Sequence, residues 1–360
     1  MFRVLITDAS SKHCLPLQRH IRRELPDVEL VGHDMHFYPL CKHYGYLHSL
    51  IRRVPLEKVL HERDFDMILP VGAKAVATVA RCRPELAALP SPESLTCCFD
   101  KSATLSLAQR LDVPTPLTFH VMSLTDLADC PVPYPCVIKP VCETEAKGVL
   151  YAFNNEQREK CVHQMFAQIR VPPGRGVLIQ QYISGEGAGF FALFDHGKPV
   201  RIFMHRRLRE YPITGGASSA ACAHYDEVLK DYGLRLLKEL NWHGVAMVEF
   251  KHEAGTGRYV LMEINPKFWG SVELALEAGV NFGADLIRVY RQEPLQYSEA
   301  YDRLLHFYWP LDGDLIHLFR TSQLKRIQDY FATYARTNLG YSRVADVVKT
   351  GKAFLTLMRG

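Results

Sequence analysis

Residues 244–251, GVAMVEFK, and residues 258–271, RYVLMEINPKFWGS, contain the stretch that decides the fold. Both segments begin as apolar strands, and the polar residues 252–257 between them favour a hairpin. Because side chains alternate faces along a strand, Glu263 and Asn265 point the same way. The end of the second strand therefore predicts a carboxylate and an amide on one surface.

The register of this hairpin decides whether Glu249 joins them. If Glu249 lies opposite Leu261, it is diagonal to Glu263 and about 7 to 8 Å away, whereas a slip of one residue separates the two glutamates. Carboxylate and amide oxygens bind Mg²⁺, and two ions about 3.5 to 4 Å apart can bridge carboxylates and phosphates. The alternative is that both glutamates are outward residues of solvated strands. Residues 265–271, NPKFWGS, directly follow the second strand and favour the metal site, because a strand edge that only faces solvent does not require such a sequence after it.

Composition limits the classes of protein and partner. The 360 residues suffice for two or three domains, and 48% hydrophobic with 23% charged residues is typical of a globular protein. A formal net charge of +4 is too small to indicate a nucleic-acid partner. The longest stretch without Asp, Glu, Lys or Arg, 211–225, is too short for a membrane span. A first strand without a signal peptide, and ten scattered cysteines without a C-x-x-C pair, predict a cytoplasmic protein.

Strand and helix patterns divide the chain into three regions, which predicts a mixed α/β and α+β fold. Residues 1–98 predict an open parallel α/β sheet of Rossmann-like type, without the G-x-G-x-x-G of a dinucleotide site. Residues 99–300 predict an α+β domain with a small lid at about 115–183. Residues 301–360 predict a helical extension that packs on the core or on a second subunit, so a homodimer is one expected arrangement. Four histidines without ligand spacing are expected to be ordinary loop or surface residues: His33, His36, His43 and His48.

A second polar stretch, residues 204–219, combines arginines with a Gly-Gly-x-Ser-Ser loop. Arginine binds carboxylate or phosphate oxygens bidentately, and such a loop exposes backbone amides. Strand alternation places Arg207 and Arg209 on one face and Arg206 on the other. A basic strand edge that deters aggregation would explain the arginines but not the glycines. The stretch therefore predicts a site for a substrate carboxylate or an acyl phosphate.

Five motifs in order resemble the ATP-grasp enzymes over about residues 99–295. They are Lys101 at a helix start, Lys139-Pro140 at a strand end, residues 180–186 (QQYISGE), Glu249, and Glu263-Ile264-Asn265-Pro266. The last is similar to the E-I-N-P-[RK]-F-W-G-S motif of the carboxylate-amine ligase branch, which includes D-aspartate ligase-like and carbamoyl-phosphate-synthase-like proteins. The resemblance implies a pre-ATP-grasp domain followed by an ATP-grasp domain with a lid.

The resemblance also implies which residues bind the nucleotide. Lys101 and Lys139 would contact the ATP phosphates, as flexible point cations do. Glu186 would accept hydrogen bonds from the ribose hydroxyls. The adenine would lie against one connecting segment, formed by Gln180, Gln181, Tyr182 and Ile183.

The same resemblance implies the metal ligands and the residues near the reacting groups. The metal ligands would be Glu249, Glu263 and Asn265, with two Mg²⁺ ions expected and Mn²⁺ as an alternative. Arg207 and Lys267 would hold the acyl phosphate, Lys267 standing where the family often has arginine. Family members often cover the phosphates with a glycine-rich loop, but the loop 141–148 has one glycine, which leaves Lys147 as a side-chain alternative. Cys142 in this loop has no nearby histidine in sequence and is not expected to be a nucleophile.

The implied activity is an ATP-dependent ligation of two small molecules. The γ-phosphate of ATP would pass to a substrate carboxylate, and an amine would then attack the acyl phosphate to form an amide. Phosphoryl transfer needs mainly positioning and charge neutralisation, which suits a site without a dedicated nucleophile. A small-molecule kinase on the same fold and a non-catalytic nucleotide-binding protein are the alternatives, and the retained acidic residues argue against the second.

Overall fold

The computed structural model describes the chain in five ranges: 1–35, 46–142, 148–168, 175–213 and 215–338. The predictions for His36, His43, Lys147 and the end of the C-terminal region, 339–360, lie outside the described residues.

The N-terminal region forms a parallel sheet of four strands in the order β3-β2-β1-β4. The strands are β1 (Phe2–Ile6), β2 (Val28–Asp34), β3 (Ser49–Arg52) and β4 (Met67–Leu69). The helices are α1 (Cys14–Glu24), α2 (Leu56–Glu62) and α3 (Ala73–Cys82). The second half of β1 and all of β4 are buried, as expected for a parallel sheet with helices on both faces. The predicted Rossmann-like sheet is confirmed.

Two short helices lead into the rest of the chain, α4 (Pro92–Phe99) and α5 (Lys101–Arg110). The Asp100 carboxylate caps α5 by accepting hydrogen bonds from the backbone N–H groups of Ser102 and Ala103. The cap makes Lys101 the first residue of α5. The backbone N–H of Lys101 donates to the Val141 carbonyl at 3.0 Å, which ties this helix start to the lid.

The lid is a four-stranded antiparallel sheet in the order β5-β8-β6-β7, covered by one helix. Its elements are β5 (Thr118–Val121), β6 (Cys136–Pro140), β7 (Leu150–Ala152), α6 (Asn155–Gln168) and β8 (Val177–Gln181). Fully buried side chains from the helix and the sheet, such as Val162, Met165 and Ile138, form a separate small core. A core of its own allows the lid to move as a unit.

The largest element is a seven-stranded sheet in the order β13-β12-β9-β10-β11-β14-β15. Its strands are β9 (Gly185–Asp195), β10 (Lys198–Tyr211), β11 (Ala217–Ala223), β12 (Gly244–Glu253), β13 (Tyr259–Asn265), β14 (His306–Tyr308) and β15 (Ala335–Thr337). The helices are α7 (Glu227–Glu239), α8 (Val272–Glu277), α9 (Phe282–Tyr290) and α10 (Asp314–Arg320). One face packs through Phe191 and Phe203 against α8, α9 and α1, and the other through Phe190 and Phe250 against α7. The first of these faces carries the polar site described below.

The C-terminal region is helical only in part. Strand β14 pairs with β11, and β15 pairs with β14, so both extend the large sheet. Each has three residues, too few for a strand pattern to be recognised in the sequence. No helix among the described residues is both long and apolar enough to traverse a bilayer.

Candidate functional site

Two glutamates face each other on β12 and β13, the two strands at one edge of the large sheet. Glu249 on β12 is paired directly with Glu263 on β13, not with Leu261 as predicted. The pairing shifts by one residue between Glu249 and Phe250, which makes Met262 a bulge residue. Without the bulge, the regular hairpin register would separate the two carboxylates, so the bulge is what brings them to the same face.

Asn265 lies beside Glu263, and we refer to Glu249, Glu263 and Asn265 together as the acidic group. Its Nδ2 donates a hydrogen bond to Glu263 Oε1 at 2.7 Å, which orients the amide. Because an amide carries both a donor and an acceptor, this bond turns the Asn265 Oδ1 away from Glu263 and leaves it available to a cation. The end of the hairpin thus presents three oxygen-bearing side chains, the donor type that Mg²⁺ prefers.

Lys139 approaches the same group from the lid. It lies near the end of β6 and is 9% exposed. Burial lowers the pKa of Lys139 to about 8; the Glu263 carboxylate opposes this shift and the Lys101 ammonium adds to it. The structure therefore brings both predicted phosphate-binding lysines near the predicted metal ligands. A narrow crevice lined by Lys101, Glu263, Asn265 and Ala73 continues toward the N-terminal domain.

Arg207 reaches the glutamates from β10. Its Nη2 donates to Glu249 at 3.1 Å, its Nη1 to Glu210 at 2.9 Å, and its Nε to the Ser218 hydroxyl at 3.1 Å. Burial alone would lower the pKa of Arg207, but Glu249 and Glu210 raise it above the usual value. The guanidinium is therefore a permanent positive charge at the edge of the acidic group.

Strand β9 lies between β10 and β12, and its glycines allow this contact. Gly189 of β9 is paired with Glu249 of β12. Because glycine has no side chain, no side chain of β9 lies between β10 and β12 at this position. A Cβ atom at Gly187 would lie 3.3 Å from three atoms of Arg207. The Arg207 side chain therefore lies flat across a strand that is glycine-lined, and alanine at 187 would crowd it.

Comparisons with known proteins agree with this architecture. No protein-family model matches the chain. The D-alanine–D-alanine ligase of Gluconobacter oxydans (strain 621H) is 25% identical over 177 residues, which are 46% of this chain and 56% of that ligase, so the chain spans about half the length of that relative.

The solved structures with similar folds include the following two. The N5-carboxyaminoimidazole synthetase of Staphylococcus aureus has a TM-score of 0.70 at 13% identity, covering 89% of this chain and 85% of that one. The L-amino acid ligase of Bacillus licheniformis has a TM-score of 0.64 at 17% identity, covering 82% and 76%. The chain has an ATP-grasp fold.

Within the ATP-grasp fold, the segment predicted to bind adenine connects the lid to the large sheet. Gln180 is buried, and its side-chain amide donates to Thr118 on the neighbouring lid strand at 2.8 Å. Ile183 is buried, whereas Tyr182 is exposed and meets the Tyr151 ring edge-to-face, with centroids 6.1 Å apart. The backbone N–H of the half-buried Gln181 donates to a carbonyl of the lid. The segment therefore exposes an aromatic side chain, Tyr182, at the junction between the lid and the large sheet.

Glu186 is not brought to the site. It is paired with His252, which lies on the face of β12 opposite to Glu249, and its carboxylate lies 3.8 Å from Arg206. The structure therefore separates Glu186 from Lys101, Lys139 and the acidic group.

Arg209 differs from its prediction. It was expected on the same face as Arg207, but the register shifts between the two residues and pairs Arg207 with Ala221 and Arg209 with Ala220. This bulge turns Arg209 to the opposite face, where it binds Asp314 through two hydrogen bonds of 2.8 Å. Arg209 is a structural residue.

Lys267 lies two residues after β13 and is half-buried. Within the ranges that the structure describes, its ammonium group makes no hydrogen bond or ion pair. Cys142, at the end of the lid strand, has a pKa raised by burial, the opposite of an activated nucleophile.

The structure adds residues that the sequence analysis did not select. Glu210 and Ser218 hold Arg207 in place. Lys12, from the loop after β1, lies over the Trp309 ring at 4.5 Å and donates to the Ser218 carbonyl at 3.3 Å. The loops after the strands of an open parallel sheet commonly face a ligand, and that rule was the available signal for Lys12.

Proposed function

We propose that the protein is an ATP-dependent ligase that activates a small-molecule carboxylate as an acyl phosphate and joins it to an amine. The observation that carries the proposal is the Glu249–Glu263 pair, which lies beside Lys139 where the lid meets the large sheet of an ATP-grasp fold. The group contains cations and oxygen ligands rather than an activated nucleophile, which suits phosphoryl transfer.

The residues present fit a divalent cation. Glu249, Glu263 and the Oδ1 atom of Asn265 are hard oxygen donors on one face. We propose that they hold Mg²⁺, with two ions as the expected number and Mn²⁺ as a substitute. The bound metal would neutralise charge on the phosphate oxygens. Arg207 already donates to Glu249, so it keeps one carboxylate in position for this role.

The nucleotide would lie between the lid and the large sheet. Lys101 and Lys139 would bind its phosphates, and a phosphate near Lys139 favours the protonated ammonium that burial disfavours. Residues 180–183 would contact the adenine. The lid, with its own hydrophobic core, would exclude water from the acyl phosphate when it closes.

Two chemical steps follow from this arrangement. A carboxylate oxygen of the substrate attacks the γ-phosphorus of ATP, and the bond to the β-phosphate oxygen breaks to release ADP. The amine nitrogen then attacks the acyl carbon, phosphate leaves, and the nitrogen loses a proton. We propose that Arg207 and Lys267 neutralise the acyl phosphate during both steps, Arg207 through its fixed planar donors and Lys267 through an ammonium that has no partner among the described residues.

The experiment is a screen of amino acids and small carboxylates, alone and in pairs, for substrate-dependent release of ADP. Hydroxylamine can stand in for the amine, because it converts an acyl phosphate into a stable hydroxamate. ADP with a hydroxamate or an amide product supports the proposal. ADP with a phosphorylated product and no amide indicates the kinase alternative, and AMP with pyrophosphate contradicts acyl phosphate chemistry.

A further inference from the structure

Two histidines and one aspartate meet at the end of the large sheet opposite the proposed ligase site. Asp195 and His196 lie at the turn between β9 and β10, and His243 directly precedes β12. The carboxylate of Asp195 lies 3.4 Å from His243 Nδ1 and 3.9 Å from His196 Nε2. The two imidazole rings are stacked with centroids 4.0 Å apart and planes 9° from parallel. We refer to Asp195, His196 and His243 as the hairpin cluster.

The backbone around the hairpin cluster is fixed. His196 and Gly197 have φ values of 43° and 78°, a left-handed pair that forms a tight two-residue hairpin. The Gly197 N–H donates to the Trp242 carbonyl at 2.7 Å, which fastens the turn to the residue before His243. The φ of 78° at Gly197 favours glycine, and a Cβ there would also lie 2.6 Å from Asn241 Oδ1, which would have to move. The three side chains are therefore brought together by backbone geometry.

The ring nitrogen of His243 that faces the cluster is an acceptor. The backbone N–H of His196 donates to His243 Nδ1 at 3.4 Å, so Nδ1 is the unprotonated ring nitrogen, and a metal ion bound through Nδ1 would replace this long hydrogen bond. A neutral imidazole is the form that binds metal ions.

We propose that the hairpin cluster is a zinc site in which His196, His243 and Asp195 supply three ligands and water the fourth. Two imidazoles with one carboxylate form a donor set suited to Zn²⁺ rather than to Mg²⁺. The three ligand atoms lie within 4.8 Å of one another. Tetrahedral zinc with bonds of about 2.0 to 2.2 Å needs ligand atoms roughly 3.4 Å apart. The side chains of His196 and Asp195, 73% and 50% exposed, can rotate to close the remaining gap.

The zinc site would be structural and independent of the proposed ligase function. Glu249 lies five positions along β12 from Gly244, which follows His243, a distance of about 16 Å along the strand. A bound ion would cross-link the β9–β10 turn to the start of β12. Zinc should therefore stabilise the fold without entering the reaction.

The test is zinc binding by the full chain after treatment with EDTA and removal of any polyhistidine tag. Binding is followed by competition with a chromophoric chelator and by the visible spectrum of the Co²⁺-substituted protein. His196→Asn is the main variant, since asparagine tolerates the left-handed turn. Asp195→Asn is the second variant. His163→Asn, at an exposed histidine of α6, is the matched control.

The wild type should bind one zinc ion per chain at the hairpin cluster and should melt at a higher temperature as zinc is added. Both cluster variants should lose at least about ten-fold in affinity and most of the Co²⁺ spectrum, while His163→Asn should match the wild type. Equal zinc affinity in the wild type and both cluster variants would overturn the proposal. Zinc binding abolished by Glu263→Gln but retained in the cluster variants would also overturn it, since the ion would then occupy the ligase carboxylates.

Discussion

Arg207 and Arg209 are two residues apart on β10 and form ion pairs on opposite faces of the same sheet. Arg209 is bound by Asp314, whose other contacts include the Ser219 and Tyr330 hydroxyls, and this group is buried. Arg207 is bound by Glu249, which faces Glu263 and the lid lysine. The Arg209–Asp314 pair is enclosed by the protein. The Arg207–Glu249 pair borders the acidic group, which has room for a ligand. Neighbouring arginines of identical chemistry thus meet a closed ion pair on one face and an open polar group on the other, and the role proposed for Arg207 depends on this difference.

The largest expected effect comes from disrupting the buried ion pair of Arg209 and Asp314. Asp314→Ala leaves the buried Arg209 guanidinium with only the more distant Asp329 carboxylate, 4.0 Å away, as a counter-charge, so the free energy of unfolding should fall by about 3 kcal/mol. Urea denaturation measures it. The double variant Arg209→Met with Asp314→Leu is the matched control and should recover most of the loss, because it removes both charges. A loss below about 1 kcal/mol in the single variant would show that Asp314 is not the essential counter-charge.

The next largest effect comes from a substitution at the acidic group that leaves the Arg209–Asp314 pair intact. Glu263→Gln removes one proposed metal ligand but keeps the size of the side chain. Turnover should fall more than about a hundred-fold, because metal charge stabilisation contributes several kcal/mol. Unfolding should change by less than about 1 kcal/mol. Glu62→Gln, at an exposed site on α2, is the control. Unaltered turnover at saturating magnesium would refute the metal-ligand assignment.

Arg207→Ala sharpens the comparison by testing the functional arginine itself. Substrate-dependent ADP formation should fall about ten-fold to a hundred-fold, since one charge-assisted contact contributes roughly 1.5 to 3 kcal/mol. ATP affinity should be retained, and titration calorimetry measures it. Arg206→Ala, on the opposite face, is the control and should stay near wild-type activity. Loss of ATP binding by a folded Arg207→Ala protein would move this residue into the nucleotide site.

The smallest effect near neutral pH concerns Lys139. Its pKa is lowered to about 8, so the ammonium predominates below that pH and is lost as the pH rises through it. The kcat/KM for ATP should therefore fall above about pH 8, approaching ten-fold per pH unit. In Lys139→Arg the guanidinium stays protonated, and the decline should disappear from the profile. A wild-type profile that is flat to pH 9.5 would exclude the Lys139 ammonium as a phosphate ligand.

The sequence predicted the elements better than their register. The parallel N-terminal sheet and the ATP-grasp fold are confirmed, because apolar periodicity and ordered motifs are visible in one chain. The hairpin register was wrong by the Met262 bulge, although the two glutamates do share a face. Bulges depend on tertiary pairing and leave no local pattern, which is also why Arg209 was placed on the wrong face.

Long-range contacts were the other feature that the sequence could not supply. Asp314 is 105 residues from Arg209, and the hairpin cluster joins His196 to His243 across two strands and a helix, β10, β11 and α7. No spacing rule links such residues, and His243 has no neighbour in sequence that suggests a ligand. Lys139 was selected from its place at the end of an apolar strand, but its lowered pKa required the folded surroundings.

The central claim is that ATP activates a substrate carboxylate as an acyl phosphate. Once the screen has identified a carboxylate and an amine, the direct measurement uses that carboxylate labelled with ¹⁸O and follows the phosphate by ³¹P NMR. We predict ADP as the nucleotide product and one ¹⁸O atom in each inorganic phosphate, because the acyl carbon–oxygen bond breaks when the amine attacks. Unlabelled phosphate, or label found in AMP, would contradict the account.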